Sequence, residues 1–463
     1  MSRLNYFNFK MLDNQVLITN DAGMYAFLEK EEFRKLITER YDNDIELAQK
    51  LTHNWFVRDV QEDVFAERIK NDIRNAKNYL FVSTSLFILV VTHRCNSKCV
   101  YCQAMASKSA GDMTVKVARK AIDMALNSPS RNITIEFQGG EPLLNYDVIK
   151  DAVTYAENEC SANKKISFSV VTNLSLLQPE MLSFFIANNV SISTSLDGAE
   201  DCHNHNRPMI GKKNGYQILR EKISSIFESG YHVGAIQTTT REGLLNPKST
   251  IDAFIEMGLT SVFIRPLTPL GFAAEQWNKI GYAPSEFIEF YEECLKYVLE
   301  LNRNGVLIQE NHAAIWLRKI IGGIQTNYME LRSPCGAAIG QLAVVENGDI
   351  YTCDEARMLS QMGDKSFRLG NVFVNSFDDA MNSDVTKAVC VASTLESLPS
   401  CCDCVYQPYC GVCPVVNLAM EGNIFAKEAK GYRCKVYEGM LDVIFGILKR
   451  NDEIEMEIFR SWL

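Results

Sequence analysis

The sequence from Val90 to Cys102 reads Val-Val-Thr-His-Arg-Cys-Asn-Ser-Lys-Cys-Val-Tyr-Cys. Its three cysteines, Cys95, Cys99 and Cys102, have C-x3-C-x2-C spacing and follow an apolar run at residues 86–91. Three thiolates on one short loop can hold three irons of a cubane cluster and leave the fourth iron without a protein ligand. That iron can bind a small molecule, so the spacing is more typical of a catalytic cluster than of a cluster that only stores electrons. The alternative is a structural zinc knuckle, which needs a distant fourth ligand.

The triad resembles the signature of the radical S-adenosylmethionine (SAM) enzymes, which have an aromatic residue just before the last cysteine, as Tyr101 is here. The resemblance implies that the open iron chelates the amino and carboxylate groups of SAM, with Tyr101 part of that site. One electron, from a donor such as flavodoxin or ferredoxin, then cleaves SAM. The products are methionine and a 5′-deoxyadenosyl radical, which takes a hydrogen atom from the substrate.

Composition excludes several other classes of protein. The chain has 463 residues, 47% of them apolar, and a net charge of -10. This charge disfavours a nucleic-acid binder, which normally has a basic surface. The N-terminus lacks the pattern of a signal peptide, and the most apolar run, residues 80–92, is too short to span a bilayer. We therefore expect a cytoplasmic protein with neither a nucleic acid nor a membrane as partner.

The first 75 residues are expected to form a small α+β head. Two short strands at residues 16–19 and 24–28 flank a turn-forming stretch, and amphipathic helices follow at 31–40 and 45–53. This pattern resembles the peptide-recognition domains of enzymes that modify ribosomally made peptides. An N-terminal cap on the following domain is the alternative.

Residues 81–304 alternate between strand-like and helix-like runs. Six such β–α units in series predict an α/β fold, namely a parallel sheet closed into a partial, six-unit β/α barrel. The predicted strands are residues 86–92, 133–137, 166–172, 190–196, 232–239 and 261–266. The predicted helices are residues 115–128, 146–159, 179–188, 216–229, 248–257 and 284–303. Active sites of such sheets lie at the C-terminal ends of the strands.

The second predicted strand is followed by Gln138 and then by Gly139, Gly140, Glu141 and Pro142. Adjacent glycines let the backbone approach a ligand, and the Glu141 carboxylate can accept a hydrogen bond from an ammonium. One β–α unit after the triad, this stretch resembles the family's motif for the SAM amino group. An ordinary loop is the alternative.

Polar residues also end the later strands. By resemblance, those after the third and fourth strands meet the ribose and carboxylate of SAM, while those after the fifth and sixth are either SAM contacts or satisfied polar groups at the rim of the barrel. In chain order the candidates are Thr172, Asn173, Ser195, Asp197, Gln237 and Arg265.

The C-terminal part is rich in cysteine. Nine of the fifteen cysteines lie between Cys335 and Cys434, and such clustering in a cytosolic chain indicates metal rather than disulfides. Cys335, Gly348 and Cys353 fit C-x12-G-x4-C, with Asn347-Gly348 at a hairpin turn between strands at 341–345 and 349–352. A second group follows: Cys401, Cys404, Cys410, Cys413 and Cys434.

This pattern resembles the SPASM extension of radical SAM enzymes, here at residues 305–440 before a C-terminal helix and tail at 441–463. The resemblance implies two auxiliary [4Fe-4S] clusters, and three clusters in all. It assigns the first to Cys335, Cys353 and Cys413, and the second to Cys401, Cys404, Cys410 and Cys434. Two residues separate Cys410 from Cys413 where the common pattern has three, so the assignment of Cys413 stays open. The fourth ligand of the first cluster is Cys390, Cys402 or none, and structural zinc is the alternative for the whole extension.

Asp354 directly follows Cys353. In related SPASM enzymes that oxidise a residue of a protein substrate, an aspartate at this place is the proposed base. The resemblance thus makes Asp354 a candidate catalytic residue, against the alternative of a loop aspartate that caps a turn.

The resemblance as a whole predicts a radical SAM/SPASM peptide maturase, most similar to the maturases of His-Xaa-Ser repeat peptide systems. Its substrate would be a precursor peptide, and its product an oxidative crosslink within the peptide, carbon–carbon or thioether. One alternative is an anaerobic sulfatase-maturing enzyme that makes formylglycine. An alternative of another class is a non-catalytic iron–sulfur or zinc scaffold.

Overall fold

The computed structural model describes residues 4–58, 60–106, 111–324, 326–425 and 431–463. The strands within these ranges form two sheets, one of three strands and one of ten. They are β1 (Asn8–Leu12), β2 (Gln15–Thr19), β3 (Tyr25–Leu28), β4 (Leu86–Thr92), β5 (Asn132–Gly139), β6 (Lys165–Val171), β7 (Val190–Ser195), β8 (Val233–Thr238), β9 (Ser261–Arg265), β10 (Gln309–Glu310), β11 (Gln341–Val344), β12 (Asp349–Tyr351) and β13 (Arg368–Asn371).

Helices cover much of the remaining described sequence. They are α1 (Lys30–Ile37), α2 (Ile45–His53), α3 (Glu62–Ala76), α4 (Val115–Leu126), α5 (Tyr146–Glu159), α6 (Pro179–Ala187), α7 (Glu200–Asn206), α8 (Gly215–Glu228), α9 (Pro247–Glu256), α10 (Phe272–Glu275), α11 (Trp277–Ile280), α12 (Pro284–Arg303), α13 (Asn311–Ile320), α14 (Asp354–Gln361), α15 (Phe377–Asn382), α16 (Asp384–Ala392), α17 (Pro414–Glu421), α18 (Tyr432–Arg450) and α19 (Glu453–Ser461). Every helix in the described ranges is too short or too polar to cross a lipid bilayer.

The six strands predicted between residues 86 and 266 all form, and each pairs in parallel with the next in the order β4 to β9. Their ends agree with the predicted ends to within two residues. The helices predicted between them also form, so the predicted mixed α/β fold with a parallel sheet of the partial-barrel type is confirmed. Because the strands are parallel, their C-terminal ends share one edge of the sheet.

The cysteine-rich region continues this same sheet. The predicted hairpin forms as the antiparallel pair β11 and β12, and β11 also pairs in parallel with β4, Gln341 lying opposite Leu86. The sequence predicted the hairpin but not its partner, because local patterns carry no information about pairing between distant segments.

The two faces of β4 separate two parts of the core. Phe87, Leu89 and Val91 pack in the large core that includes the helices around the sheet. Ile88 and Val90 point the other way, into a smaller buried cluster that contains Cys335, Cys353 and Cys413. The alternation of side chains along a strand therefore places these cysteines beside the inner face of the barrel.

The N-terminal sheet has three antiparallel strands in the order β1-β2-β3, one more than the sequence predicted. The sequence did not predict β1, because the strand buries a polar side chain and exposes an apolar one. Phe9 is exposed, whereas Asn8 is buried and donates hydrogen bonds to the carbonyls of Cys402 and Cys404 at 3.1 Å. Thr19 donates to the Val405 carbonyl at 2.6 Å. The sheet thus packs on the cysteine-rich segment.

Candidate functional site

A cavity of about 1210 Å³ opens where the C-terminal ends of the parallel strands meet. Half of the predicted site residues line it, namely Cys95, Cys99, Tyr101, Cys102, Gly139, Gly140, Thr172, Asn173, Ser195, Arg265 and Asp354. Four others, Glu141, Pro142, Asp197 and Gln237, lie outside its described lining. The auxiliary cysteines also lie outside that lining.

The glycines of the second strand end pack against the triad loop. A Cβ on Gly139 would collide with the Thr92 carbonyl oxygen, and one on Gly140 with that of Arg94. The backbone N–H groups of Gly140 and Glu141 donate to the same two carbonyls at 2.9 and 2.8 Å. Both positions therefore require glycine because two backbones touch there, and this contact sets the position of the cysteine loop.

The triad thiols of Cys95 and Cys99 fit a cluster that removes their protons. Burial is the main reason that the pKa of Cys95 rises to about 11 and that of Cys99 to about 12. Thiols with such pKa values stay protonated at neutral pH unless a metal supplies positive charge. Within the described ranges, no three His, Cys, Asp or Glu side chains are spaced to hold one metal ion, whereas a cubane contacts its thiolates through different irons.

Glu141 is fully buried and links neighbouring strand ends. Its carboxylate accepts hydrogen bonds from Thr172 Oγ1 at 2.6 Å, from the Asn173 N–H at 2.8 Å and from the Leu143 N–H at 3.0 Å. Burial raises the pKa of Glu141, while these bonds oppose the rise. Pro142 opens a single 3-10 turn, Pro142–Asn145, that Glu141 caps. The structure therefore gives Glu141 a scaffolding contact with two residues that do line the cavity.

Asp197 belongs to a buried group beneath the triad loop. Tyr101 donates its hydroxyl to Asp197 Oδ2 at 2.7 Å, and Arg207 Nε donates to the same oxygen at 3.0 Å. The Arg207 guanidinium also lies 5.2 Å from the centre of the Tyr101 ring, and both side chains line the cavity. Sequence reasoning missed Arg207, which follows a short helix and belongs to no motif.

Gln237 is buried behind the cavity wall. Its Oε1 accepts a hydrogen bond from Thr239 Oγ1 at 2.8 Å. Its Nε2 has no hydrogen-bond partner among the residues that the structure describes. Gln237 is thus a buried residue of the barrel that lies outside the described lining of the cavity.

Asp354 starts a chain of polar contacts along the cavity wall. Arg357 is buried and donates from Nε to Asp354 Oδ1 at 2.7 Å and from NH2 to Gln138 Oε1 at 2.8 Å. Gln138 in turn donates to Glu136 at 2.6 Å. Burial, reinforced by the Asp354 charge, raises the pKa of Glu136. Helix α14 and strand β5 are therefore joined through charged side chains that face the cavity.

Arg265 is held in place by acidic and aromatic partners. It donates to Glu330 and, at 2.6 Å, to the Tyr328 hydroxyl, while Arg433 approaches the other oxygen of Glu330 at 3.2 Å. Burial opposes ionisation of Glu330, but the two guanidinium groups hold the pKa of its carboxyl well below the usual range. Arg265 thus lines the cavity while its guanidinium is paired with the Glu330 carboxylate.

The remaining predicted metal ligands fall into two spatial groups. Cys335, Cys353 and Cys413 are buried in one cluster, and burial raises the pKa of Cys335 to about 11. Cys401, Cys404, Cys410 and Cys434 form the second group, in which each of the first three thiols is influenced by the charge of Cys434. The cysteines that the resemblance assigned to each cluster thus lie near one another, and their role as cluster ligands stays a prediction.

Comparison with known proteins agrees with this geometry. Residues 89–259 match the Radical SAM superfamily. A cysteine-type anaerobic sulfatase-maturating enzyme of Clostridium novyi is 21% identical over 338 residues, covering 71% of this chain and 87% of that enzyme.

Two solved structures share the fold. Native anSMEcpe with bound AdoMet and Cp18Cys peptide superposes with a TM-score of 0.68 at 20% identity, covering 80% of this chain and 98% of the other. Streptococcus suis SuiB bound to precursor peptide SuiA gives 0.54 at 14% identity, covering 93% and 99%. Residues 89–259 of this chain therefore form a radical SAM domain, which implies S-adenosylmethionine and a [4Fe-4S] cluster as cofactors, and the chain is an enzyme.

Proposed function

We propose that the enzyme modifies a ribosomally made precursor peptide, forming an oxidative crosslink within it. One observation carries the proposal: a single cavity of about 1210 Å³ is lined by the cysteine triad and also by Asp354, which directly follows Cys353. A site for radical formation and a site for proton removal would thus share one space. That SuiB is solved with a precursor peptide, and anSMEcpe with a peptide, supports a peptide substrate.

Each residue has a defined part in this proposal. When bound, SAM and the clusters supply hydrogen-atom abstraction and accept the electron that the substrate must lose. Tyr101, Asp197 and Arg207 fix the triad loop, and Glu141 holds Thr172 and Asn173 at the SAM side of the cavity. Asp354 takes the proton that leaves as the new bond forms. In balance, the peptide loses two hydrogens, one as an atom and one as a proton plus an electron.

The test uses anaerobically reconstituted, reduced enzyme with SAM and short peptides encoded near the gene, with flavodoxin or ferredoxin as the electron donor. Peptides with His-Xaa-Ser repeats are the first to try, because of the resemblance. We expect 5′-deoxyadenosine and a peptide product that lacks two hydrogens, with fragmentation interrupted between the linked residues. Formation of 5′-deoxyadenosine without any change in all such peptides would contradict the proposal.

Formylglycine formation is a second candidate, favoured by the similarity to sulfatase-maturating enzymes. Oxidation of serine to formylglycine also removes two hydrogens, so mass alone does not separate the two products. An aldehyde reacts with hydroxylamine, whereas a carbon–carbon or thioether crosslink does not. Hydroxylamine-reactive product from a sulfatase-derived Cys or Ser peptide would favour this second function.

A further inference from the structure

Arg357 is a buried cation in the wall of the cavity. Its side chain is 2% exposed, whereas that of Asp354, three residues earlier on α14, is 21% exposed. Residues three apart lie on the same face of a helix, and both side chains line the cavity. The guanidinium is thus the more deeply buried member of this pair, and the carboxylate is the member that a substrate can reach.

The guanidinium contacts only one oxygen of the carboxylate. Arg357 Nε donates a hydrogen bond to Asp354 Oδ1 at 2.7 Å. Within the part of the chain that the structure describes, Asp354 Oδ2 accepts no hydrogen bond. A bidentate arginine–carboxylate pair would occupy both oxygens. The single contact fixes the carboxylate and leaves Oδ2 available to a group in the cavity.

The other side of the guanidinium is anchored to strand β5. Arg357 Nη2 donates to Gln138 Oε1 at 2.8 Å, and Gln138 Nε2 donates to Glu136 at 2.6 Å, which fixes the orientation of the amide. Gln138 directly precedes Gly139 and Gly140, whose backbone packs against the triad loop. One guanidinium therefore ties the position of Asp354 to the strand end that positions the cysteine loop.

The guanidinium is not arranged to satisfy all of its own donors. Arg357 Nη1 is buried and has no hydrogen-bond partner among the described residues. Buried polar groups without a partner are rare in folded proteins. An arginine that only joined α14 to β5 would stabilise the fold more with every donor bonded, so this orientation favours a role in holding Asp354.

We propose that Arg357 is a positioning residue that acts through Asp354, holding Oδ1 so that Oδ2 faces the peptide group that reacts. This inference rests on the proposed role of Asp354 in peptide modification. A displacement of about 1 Å at a reacting group can lower a rate about 10²-fold. Arg357 is therefore expected to affect product formation without touching the substrate.

The test compares Arg357→Met with Arg357→Lys in full-length, anaerobically reconstituted and reduced enzyme. The substrate is a precursor peptide encoded near the gene, and crosslinked peptide and 5′-deoxyadenosine are measured in the same reaction. Methionine removes the donors, whereas lysine can still donate to Asp354. For Arg357→Met we expect kcat for product to fall about 10²-fold, while the KM for peptide and the rate of 5′-deoxyadenosine formation stay near the parent values.

Arg357→Lys should give a ratio of product to 5′-deoxyadenosine between those of the parent and Arg357→Met. The control is Arg318→Met, which changes a half-buried arginine on α13 outside the described cavity lining and should leave the ratio unchanged. If Arg357→Met does not fold, Arg357→Gln replaces it, because the shorter amide side chain cannot hold both Asp354 and Gln138.

A double variant shows whether Arg357 acts through Asp354. Arg357→Met combined with Asp354→Asn should give the same ratio as Asp354→Asn alone, because orienting a side chain that no longer takes the proton has no effect. A further fall in the double variant, a parent-like ratio for Arg357→Met, or no recovery with lysine would overturn the inference alone. A parent-like ratio for Asp354→Asn, or no conversion of any such peptide by the parent, would refute the proposed function and the inference together.

Discussion

The Tyr101 hydroxyl donates a hydrogen bond to Asp197 Oδ2 at 2.7 Å, although 95 residues separate the two in the chain. The bond ties the cysteine loop to the end of β7, and Arg207 shares the same oxygen at 3.0 Å. The buried Asp197 carboxylate thus accepts hydrogen bonds from two side chains, one of which is the cationic guanidinium of Arg207. The geometry of the triad loop therefore depends on the Asp197 side chain.

Asp197→Asn should therefore destabilise the protein, since it leaves the Arg207 guanidinium largely buried without an anion. Breaking such a pair typically costs about 3–5 kcal/mol. Urea denaturation should show a lower midpoint, and SAM binding measured by equilibrium dialysis should weaken with it. Asp201→Asn, on an exposed position of α7, is the matched control and should change neither quantity. An unaltered midpoint for Asp197→Asn would show that this ion pair is dispensable.

Glu141→Gln should weaken SAM binding although the side chain lies outside the cavity lining. The new amide NH2 cannot accept a hydrogen bond, so either the Asn173 N–H or the Thr172 hydroxyl loses its partner. One buried donor left unsatisfied costs about 1–3 kcal/mol. We expect a lower denaturation midpoint and weaker SAM binding at constant iron content, compared with the exposed control Glu157→Gln. SAM affinity equal to that of the parent would contradict this scaffolding role.

The triple change of Cys95, Cys99 and Cys102 to Ala should lower the iron content from about twelve to about eight per chain, at four irons per cubane. SAM cleavage should disappear, because the iron that binds SAM is lost. Iron and sulfide assays on anaerobically reconstituted protein provide the measurement. Cys160→Ala, which removes a cysteine outside the three groups, should keep all twelve irons. Zinc in place of iron would refute the cluster assignment.

Stability should fall in mild acid because of His203. The Asp197 N–H donates to His203 Nδ1 at 3.4 Å, so the neutral ring carries its proton on Nε2. Burial lowers the pKa of His203 from 6.5 to about 4. Between these two pKa values the unfolded state binds more protons than the folded state does. The stabilisation that comes from keeping His203 neutral is therefore complete above about pH 6.5 and is lost as the pH falls towards 4. It amounts to about 3 kcal/mol.

His203→Asn keeps an acceptor near Nδ1 but removes the titration. Urea denaturation at several values between pH 4.5 and 7.5 should show a flatter dependence for this variant than for the parent. His205→Asn serves as the control, since His205 is exposed. Equal slopes for His203→Asn and the parent would show that His203 does not contribute to the acid sensitivity.

Asp354→Asn should separate SAM cleavage from product formation. The asparagine oxygen can still accept the hydrogen bond that Arg357 donates at 2.7 Å, so the cavity wall keeps its shape. Loss of a general base typically lowers the rate about 10²–10⁴-fold. Crosslinked peptide should decrease by this factor, while 5′-deoxyadenosine continues to form and still gains deuterium from a labelled substrate carbon. The control is Asp378→Asn, at an exposed position on α15.

If Asp354→Asn makes product at nearly the parent rate, Asp354 is a structural residue of the α14 N-terminus. Rates of both products should be taken from the same reaction, because only their ratio distinguishes uncoupling from general damage.

The sequence predicted those features that depend on local patterns. Apolar runs and the helices between them gave the bounds of β4 to β9 to within two residues, and cysteine spacing gave the triad. The missed features depend on distant contacts. Arg207 and Arg357 have no motif around them, and their importance comes from contacts with Tyr101 and Gln138, which lie near them only in the folded chain.

Glu141 shows a different limit of sequence reasoning. A glutamate after two glycines suggested a direct contact with an ammonium, whereas in the structure its carboxylate accepts three hydrogen bonds from protein donors. The same motif supports either interpretation, because spacing along a chain does not tell whether a side chain points into a cavity or behind its wall.

The parallel pairing of β11 with β4 has a consequence for how the protein can be divided. Phe87 to Val91 are almost completely buried, so a fragment that ends before residue 341 would expose one whole side of an apolar strand. Open strands of this kind recruit other chains. We expect the isolated barrel segment to aggregate on expression, and the barrel and the cysteine-rich region to be soluble only when they are produced as one polypeptide.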